Sequence, residues 1–394
     1  MERITQAIVL AAGEGQRLKP LTVFMPKVML PIADKPILQY VVEALAENGI
    51  RRIVMVVGYR REQVQDHFGS GQEFGVDIEY VIQNQQIGTA HALKQAESAA
   101  DDTFLLVSGD NMISADTIAP LVNTTSPTVL IKAHGDISRY GVVIVHNGLL
   151  REIVEKPPEK LSGLINTGTY VFNREIFDFI EDEVRLNVVI QKMIDKGREI
   201  ATLETEGFWQ DVVYPWDIIT LNGSCLSQIS PSLGGTIEEG SRINGLVSIG
   251  DGTIIRSNCY IVGPAIIGED CEIGPNVCIF PSTSIRNGVT IAPFTVISNS
   301  CIGNNISIGA GSSINDSIIY WGTLIGSHFA ARSSEGTVKI DNEYHQVKMG
   351  TIIGSYCEFG DSVTVEPGTI IGNHCLIKPM KLIGENIPDN GLVV

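Results

Sequence analysis

A chain of 394 residues with a formal net charge of −17 and 44% hydrophobic residues has room for two domains, each with its own core. The negative balance argues against a nucleic-acid groove or an anionic membrane surface, so a polyanionic substrate would have to meet local cations. No apolar run approaches the roughly 20 residues of a membrane span, MERITQAIVLAAG shows no cleavable signal, and the seven cysteines lack CxxC spacing, so a cytoplasmic chain without structural metal is expected.

The first element is an apolar run, Ala7 to Leu10, that reads as a buried strand and empties into a turn holding Ala12, Gly13 and Gly15. Glycines let backbone approach a ligand, and successive N–H groups in such a turn form an anion-binding concavity. Arg17 and Lys27 then stand ready to neutralise a triphosphate. The GK[ST] ending of a Walker P-loop is missing. Strands are expected at 52–57, 78–82, 104–107 and 128–133, with helices at 38–48, 61–67 and 89–98 between them. That alternation predicts an α/β domain with a mostly parallel sheet, whose ligands bind at the carboxyl ends of the strands.

Several motifs fall on those ends. In QNQQIGTAHAL, the Gln83 amide suits a planar base and Gly88 permits close approach, while Thr89 either joins them or caps the next helix. His91 reads as structural. VSGDN places the Asp110 carboxylate directly after a strand, where a metal bound to phosphates would lie, although loops after strands also use capping aspartates. FWQDVVYPWDII offers Asp211 as a second carboxylate, and Mg²⁺ prefers one or two carboxylates plus substrate phosphates. RYGVV brings Gly141, VEKPP brings Glu155 and Lys156, and INTGTYVF brings Asn166 and Thr167, a set able to meet a sugar ring and its phosphate.

From Ile237 the rhythm changes to sixes: INGLVS, IGDGTI, IRSNCY, IVGPAI, IGEDCE. The phase slips near Cys301, continues through IGNNIS and IGAGSS, and resumes at Ile353. A six-residue isoleucine period fits neither a helix nor a simple strand and matches a parallel β-helix, with a small residue four places on at each corner. Ser241, Thr253, Cys259, Cys271, Cys301, Cys357 and Cys375 hold that place, the cysteines as small buried hydrophobes. A Ser/Gly/Pro-rich linker at 223–236 divides the chain into domains 1–229 and 230–394, and a polar excursion interrupts the hexads between Phe329 and Gly350.

GxGxRL followed at fixed distance by PLT and PK resembles the signature of sugar-1-phosphate nucleotidylyltransferases, and the later motifs extend the likeness over the first 220 residues. The resemblance implies a Rossmann-like nucleotidyltransferase domain that joins UTP or dTTP to a sugar 1-phosphate and releases pyrophosphate. Asp110 and Asp211 would hold Mg²⁺, and Lys156 would meet the sugar phosphate. Val213 stands where that family has glycine. The form QxxxxGTAHA resembles the uridylyltransferases that make UDP-N-acetylglucosamine. Retention of Gly13, Arg17, Lys27, Asp110 and Asp211 argues against a non-catalytic regulatory subunit. The hexads resemble the left-handed β-helix of hexapeptide acyltransferases, which implies a homotrimer and raises acetyl-CoA as a second substrate. Ser317, however, stands near the place of that family's base histidine, its TAN asparagine is not evident, and His328 lies outside the matching position. Lys348 matches a retained loop lysine. The β-helix is therefore expected to act mainly as an assembly scaffold.

Overall fold

The computed structural model describes residues 3–124, 126–155, 163–340 and 343–394. They form two compact units, one of Met1–Glu14, Phe24–Leu30 and Pro36–Asp211, the other of Gly15–Val23, Pro31–Lys35 and Val212–Val394.

In the first unit the strands in chain order are β1 (Gln6–Ala11), β2 (Arg52–Val57), β3 (Asp77–Ile82), β4 (Thr103–Ser108), β5 (Asn111–Ile113), β6 (Thr128–His134), β7 (Gly141–His146), β8 (Leu149–Glu155), β9 (Gly163–Asn173), β10 (Ala201–Glu204) and β11 (Trp209–Asp211). The main sheet has the order β3-β2-β1-β4-β9-β6-β10-β8-β7. β3, β2, β1 and β4 run parallel, whereas β9 enters antiparallel to both β4 and β6. The sheet is thus mixed, and the expected parallel arrangement holds for the half that begins the chain. β1, β2 and β4 are nearly continuous apolar runs because helices cover the sheet there. Among these, α1 (Ile37–Glu47) buries Leu38, Val41, Val42 and Leu45 on one stripe. It ends at Asn48 and at Gly49, whose φ of +75° is the left-handed conformation that glycine adopts without strain. α2 (Arg61–Phe68), α3 (Thr89–Gln95) and α4 (Leu186–Asp195) follow. α3 stops short of the expected 89–98, giving way after Gln95 to a 3₁₀ turn at Glu97–Ala99. Phe104, Leu106, Phe172, Phe177 and Leu93 centre the core on this side.

The second unit opens with α5 (Pro215–Leu226), so the stretch expected as a linker from 223 is helical as far as Leu226. Local chemistry explains the helix: Pro215 presets the first turn, and the Asp217 carboxylate accepts from the N–H groups of Val213 and Tyr214. The hexads then form three parallel ladders of two- and three-residue strands, a parallel β-helix. Val247 pairs with Ala265 and Ala265 with Thr283, an eighteen-residue coil. The offset drops to seventeen where Ile285 meets Ile302 and again where Ile302 meets Ile319, which is the slip in the sequence. Ile255, Ile261, Ile273, Ile279 and Ile297 fill the interior. The expected polar excursion is an antiparallel hairpin, Ser334–Ile340 with Glu343–Met349, inserted at one corner.

The corner residues do more than fit. Thr253 and Ser241 donate hydroxyls to the carbonyls of Gly268 and Arg256 one coil on, at 2.6 and 2.7 Å. The thiols of Cys259, Cys271 and Cys357 reach the equivalent carbonyls of Gly274, Arg286 and Gly372, each at 3.0 Å. These cysteines are weak donors that satisfy a buried C=O, rather than hydrophobes alone. Cys301 is the exception: it begins a strand, while buried Ser300 holds the corner place and accepts from Ser317 N. No helix among the described residues is long and apolar enough to cross a membrane.

Candidate active site

Parallel register sets Ala11 beside Val57, Val57 beside Ile82, and Leu10 beside Ser108, so the residues that follow each strand meet at one edge of the sheet. Gly58 and Gly109 are needed for that convergence. A Cβ on Gly58 would stand 2.5 Å from Gln86 Nε2 and 3.0 Å from Ala12 Cβ, and one on Gly109 would stand 3.0 Å from the Leu10 carbonyl. Gly13, by contrast, is exposed and a Cβ there would meet nothing within 4 Å, which leaves room beside its backbone for a ligand. Ala12 is buried and its carbonyl accepts from Tyr59 N.

Asp110 follows Gly109. β5 pairs antiparallel with β11, and the register puts Asp211 opposite Asn111, so two carboxylates 101 positions apart in sequence come together. Lys27 begins a 3₁₀ turn fixed by Pro26. Its ammonium lies 2.5 Å from Asp110 Oδ2 and 3.3 Å from Asp211 Oδ1, with the lysine side chain 14% exposed and the carboxylates 32% and 27%. Burial alone would lower the Lys27 pKa, but the charges of Asp110 and Asp211 and hydrogen bonds to both outweigh it and hold the group well above the usual lysine value. Lys27 is therefore charged at neutral pH. Two carboxylates gathered round one cation are oxygen donors of the kind that could hold a divalent cation.

Gln83 directly follows β3 and is buried. The Gly88 carbonyl requires a donor, which orients the amide: Nε2 gives to Gly88 O at 3.1 Å and lies 2.9 Å from His91 Nδ1. The amide nitrogen is thus committed within the protein. His91 turns out to be its support, a role that one imidazole in a helical pattern does not signal. Thr89 does not cap α3. It is the first helical residue, and its hydroxyl accepts from Leu186 N at 3.1 Å. Gly88 packs its backbone on Val184, where a Cβ would fall 2.1 Å from the carbonyl oxygen.

Where the sequence suggested sugar contacts, β7 and β8 place Gly141 opposite Glu155, which is exposed. β9 breaks register between Asn166 and Tyr170, and the resulting bulge hangs from Asn111, whose Nδ2 donates to Thr167 O at 2.9 Å. Inside it Asn166 donates to the Tyr170 hydroxyl and accepts from Gly168 N. Thr167 is 1% exposed and its hydroxyl donates to Leu130 O, so its side chain is not available to a sugar as the sequence suggested. Burial pushes the Tyr170 hydroxyl well above its usual pKa, and the nearby Glu155 charge adds to this. Lys156 lies outside the described residues.

Gly15 and Arg17 belong to the second unit. Gly15 has φ +80° and its carbonyl accepts from Leu18 N and from the Thr22 hydroxyl, a compact turn that holds half-buried Arg17. The same unit has a cleft of about 550 Å³ at the hairpin corner, lined by residues that include Trp216, Ser282, Asn299, Asp316 and Lys348. Ser317 does not line the cleft: it is fully buried, accepts from Thr351 N, and its Oγ would touch any Cβ added to Gly350. His328 is exposed in a left-handed turn.

The nucleotidyl transferase family matches residues 6–227, and the GMPPB C-terminal domain family matches residues 261–393. A relative named bifunctional protein GlmU from Methanococcus maripaludis is 31% identical over 98% of this chain and 96% of its own. Its namesake from Methanocaldococcus jannaschii is 33% identical over 98% and 97%. A glucose-1-phosphate thymidylyltransferase from Streptomyces antibioticus is 32% identical over 75% of this chain and 83% of its own. Among solved structures, a candidate glucose-1-phosphate thymidylyltransferase from Bacillus anthracis, in complex with a sucrose, aligns with TM-score 0.52 and 29% identity over 58% of this chain and 97% of that one.

Proposed function

The chain belongs to the nucleotidyl transferase family and is a sugar-1-phosphate nucleotidyltransferase, and from that premise we propose that it joins UTP to N-acetylglucosamine 1-phosphate. The observation that carries the reading is the Lys27 ammonium held between Asp110 and Asp211 at the carboxyl edge of the parallel strands. Mg²⁺ held by those two carboxylates and by phosphate oxygens would neutralise charge on the triphosphate and the leaving pyrophosphate.

The chain's own groups do the rest. The backbone around Ala12 and Gly13 approaches the phosphates, Lys27 adds a point charge, and Arg17 keeps the role that its motif implies, a second triphosphate cation. Gln83 Oε1 accepts the imide N–H of uracil, its geometry set by Gly88 and His91. Gly141 lets the sugar ring lie against β7, while Glu155 accepts from its hydroxyls and Lys156 meets its phosphate. Asn166 shapes the β9 bulge, its amide spent on Tyr170 and Gly168 rather than on sugar hydroxyls. The sugar phosphate is largely dianionic at neutral pH, its second pKa being roughly 6, so it attacks the α-phosphorus without a general base. In-line positioning supplies much of the acceleration.

The β-helix serves assembly, as a homotrimer, rather than amine acetylation with acetyl-CoA. A protonated amine needs a base, and Ser317 occupies the corner where one would stand. Pyrophosphate release measured over UTP and dTTP against N-acetylglucosamine, glucose and galactosamine-type 1-phosphates tests the substrate assignment. The highest kcat/KM is expected for UTP with N-acetylglucosamine 1-phosphate, and a higher value for any other pair replaces it.

A further inference from the structure

The charge between Asp110 and Asp211 is already filled, by a residue of the chain itself. We infer that Lys27 is an exchangeable occupant of the divalent-cation position: it holds the two carboxylates together before substrate arrives and leaves them for the triphosphate when a divalent cation enters. This inference rests on the metal-ligand reading of Asp110 and Asp211 and goes beyond it.

Geometry makes joint occupancy costly. Lys27 Nζ lies 2.5 Å from one carboxylate oxygen and 3.3 Å from the other. A Mg²⁺ ion bonds oxygen at about 2.0–2.1 Å, so an ion on the same two oxygens would stand within a few ångströms of the ammonium. Three positive charges would then face two negative ones at side chains only 14% to 32% exposed, where solvent screens them in part. One cation has to go. The lysine is the one that can move, because its long stem swings while Pro26 and the 3₁₀ turn keep its backbone in place. Without a cation the carboxylates would repel each other, so Lys27 also keeps them in place for the incoming ion.

The consequence is a coupling between two ligands. Free divalent cation has to evict Lys27 without bringing a counter-charge for the ammonium, whereas cation arriving with a triphosphate brings the anions that receive it. By linkage, Lys27 makes metal and nucleotide bind together. Free metal is turned away, and the free carboxylate pair is not left to bind the wrong ion.

Electron paramagnetic resonance of Mn²⁺ without nucleotide tests this on the full chain. Lys27→Gln should bind one Mn²⁺ at least tenfold more tightly than wild type, and Lys27→Gln/Asp110→Asn should lose the gain. Lys27→Arg, which keeps the charge, should bind as weakly as wild type. If wild type and Lys27→Gln bind Mn²⁺ equally and Asp110→Asn weakens both, the exchange is wrong and the metal site stands. If no variant binds in an Asp110-dependent manner, the metal reading falls and takes the exchange with it. Should Lys27→Gln fail to fold, the unaltered protein decides. The Lys27 ammonium resonance of ¹⁵N-lysine-labelled enzyme should stay sharp in millimolar free Mn²⁺. Broadening that Asp110→Asn abolishes would overturn the exchange.

Discussion

Asp110→Asn separates the chemical role of this carboxylate from its structural one. Its oxygen lies 2.5 Å from Lys27 Nζ, and the substitution keeps an acceptor of the same shape while removing the charge. A hydrogen bond to a charged group is worth about 1.5–3 kcal/mol. Asp211 remains 3.3 Å from the ammonium and Asp110 is 32% exposed, which places the cost at the lower end of that range, about 1.5 kcal/mol. For a domain of this size that amounts to a fall in Tm of about 3–6 °C. Turnover should suffer far more, because half of the proposed metal ligation is lost and metal charge stabilisation is worth several kcal/mol. At about 1.4 kcal/mol per decade, a loss of at least 100-fold in kcat is expected. Pyrophosphate release at saturating Mg²⁺, read beside a thermal melt, is the assay. More than a tenth of wild-type kcat retained in a folded variant would refute the reasoning.

Gln83→Ala should cost about 1–3 kcal/mol in kcat/KM for UTP, by analogy with amide–base pairs elsewhere. His91→Ala should relax selectivity between UTP and ATP in the same direction, since it frees the amide that it holds at 2.9 Å; selectivity unchanged in both variants would show that the base is read elsewhere. Asn111→Ala leaves the Thr167 carbonyl without its 2.9 Å donor and should lower stability by about 1–3 kcal/mol in a denaturant titration. The Cys357 thiol is pushed up to about 12 by burial from an ordinary 9, so folding holds its proton where the unfolded chain would release it. Stability from this group is intact below pH 9 and is lost as pH rises from 9 toward 12, and denaturant midpoints at pH 8 and 10 should show a smaller alkaline loss in Cys357→Ala. Thiol release from acetyl-CoA with glucosamine 1-phosphate should stay well below one turnover per second, and a faster rate, within the ordinary enzyme range, would make the β-helix a second active site.

Local chemistry was legible in the sequence where one segment carries its own signal. β2 lies at 52–57 as read, and the isoleucine period specifies the coil because each hexad fills one side of the interior. Asp110 was visible from the strand that precedes it. The partnership of Asp110, Asp211 and Lys27 depends on β5 pairing with β11, a long-range contact that no window of residues contains. Thr167 misled because a threonine in INTGTY carries no mark of its burial; the β9 bulge turns its hydroxyl inward to Leu130. Gly58 and Gln86 escaped because a glycine after an apolar strand is ordinary until the next strand end crowds it. The linker at 223–226 was misread because composition showed Gly and Ser but not the capping by Asp217 that sustains α5.

Anomalous diffraction at the manganese edge, from crystals grown with Mn²⁺ and UDP-N-acetylglucosamine, tests the central claim most directly. The account predicts one peak within bonding distance of both Asp110 and Asp211, with Lys27 Nζ moved off the carboxylates onto phosphate oxygen and uracil N3 against Gln83 Oε1. A nucleotide sugar bound with its phosphates away from these three side chains, or a manganese peak touching neither aspartate, would contradict it.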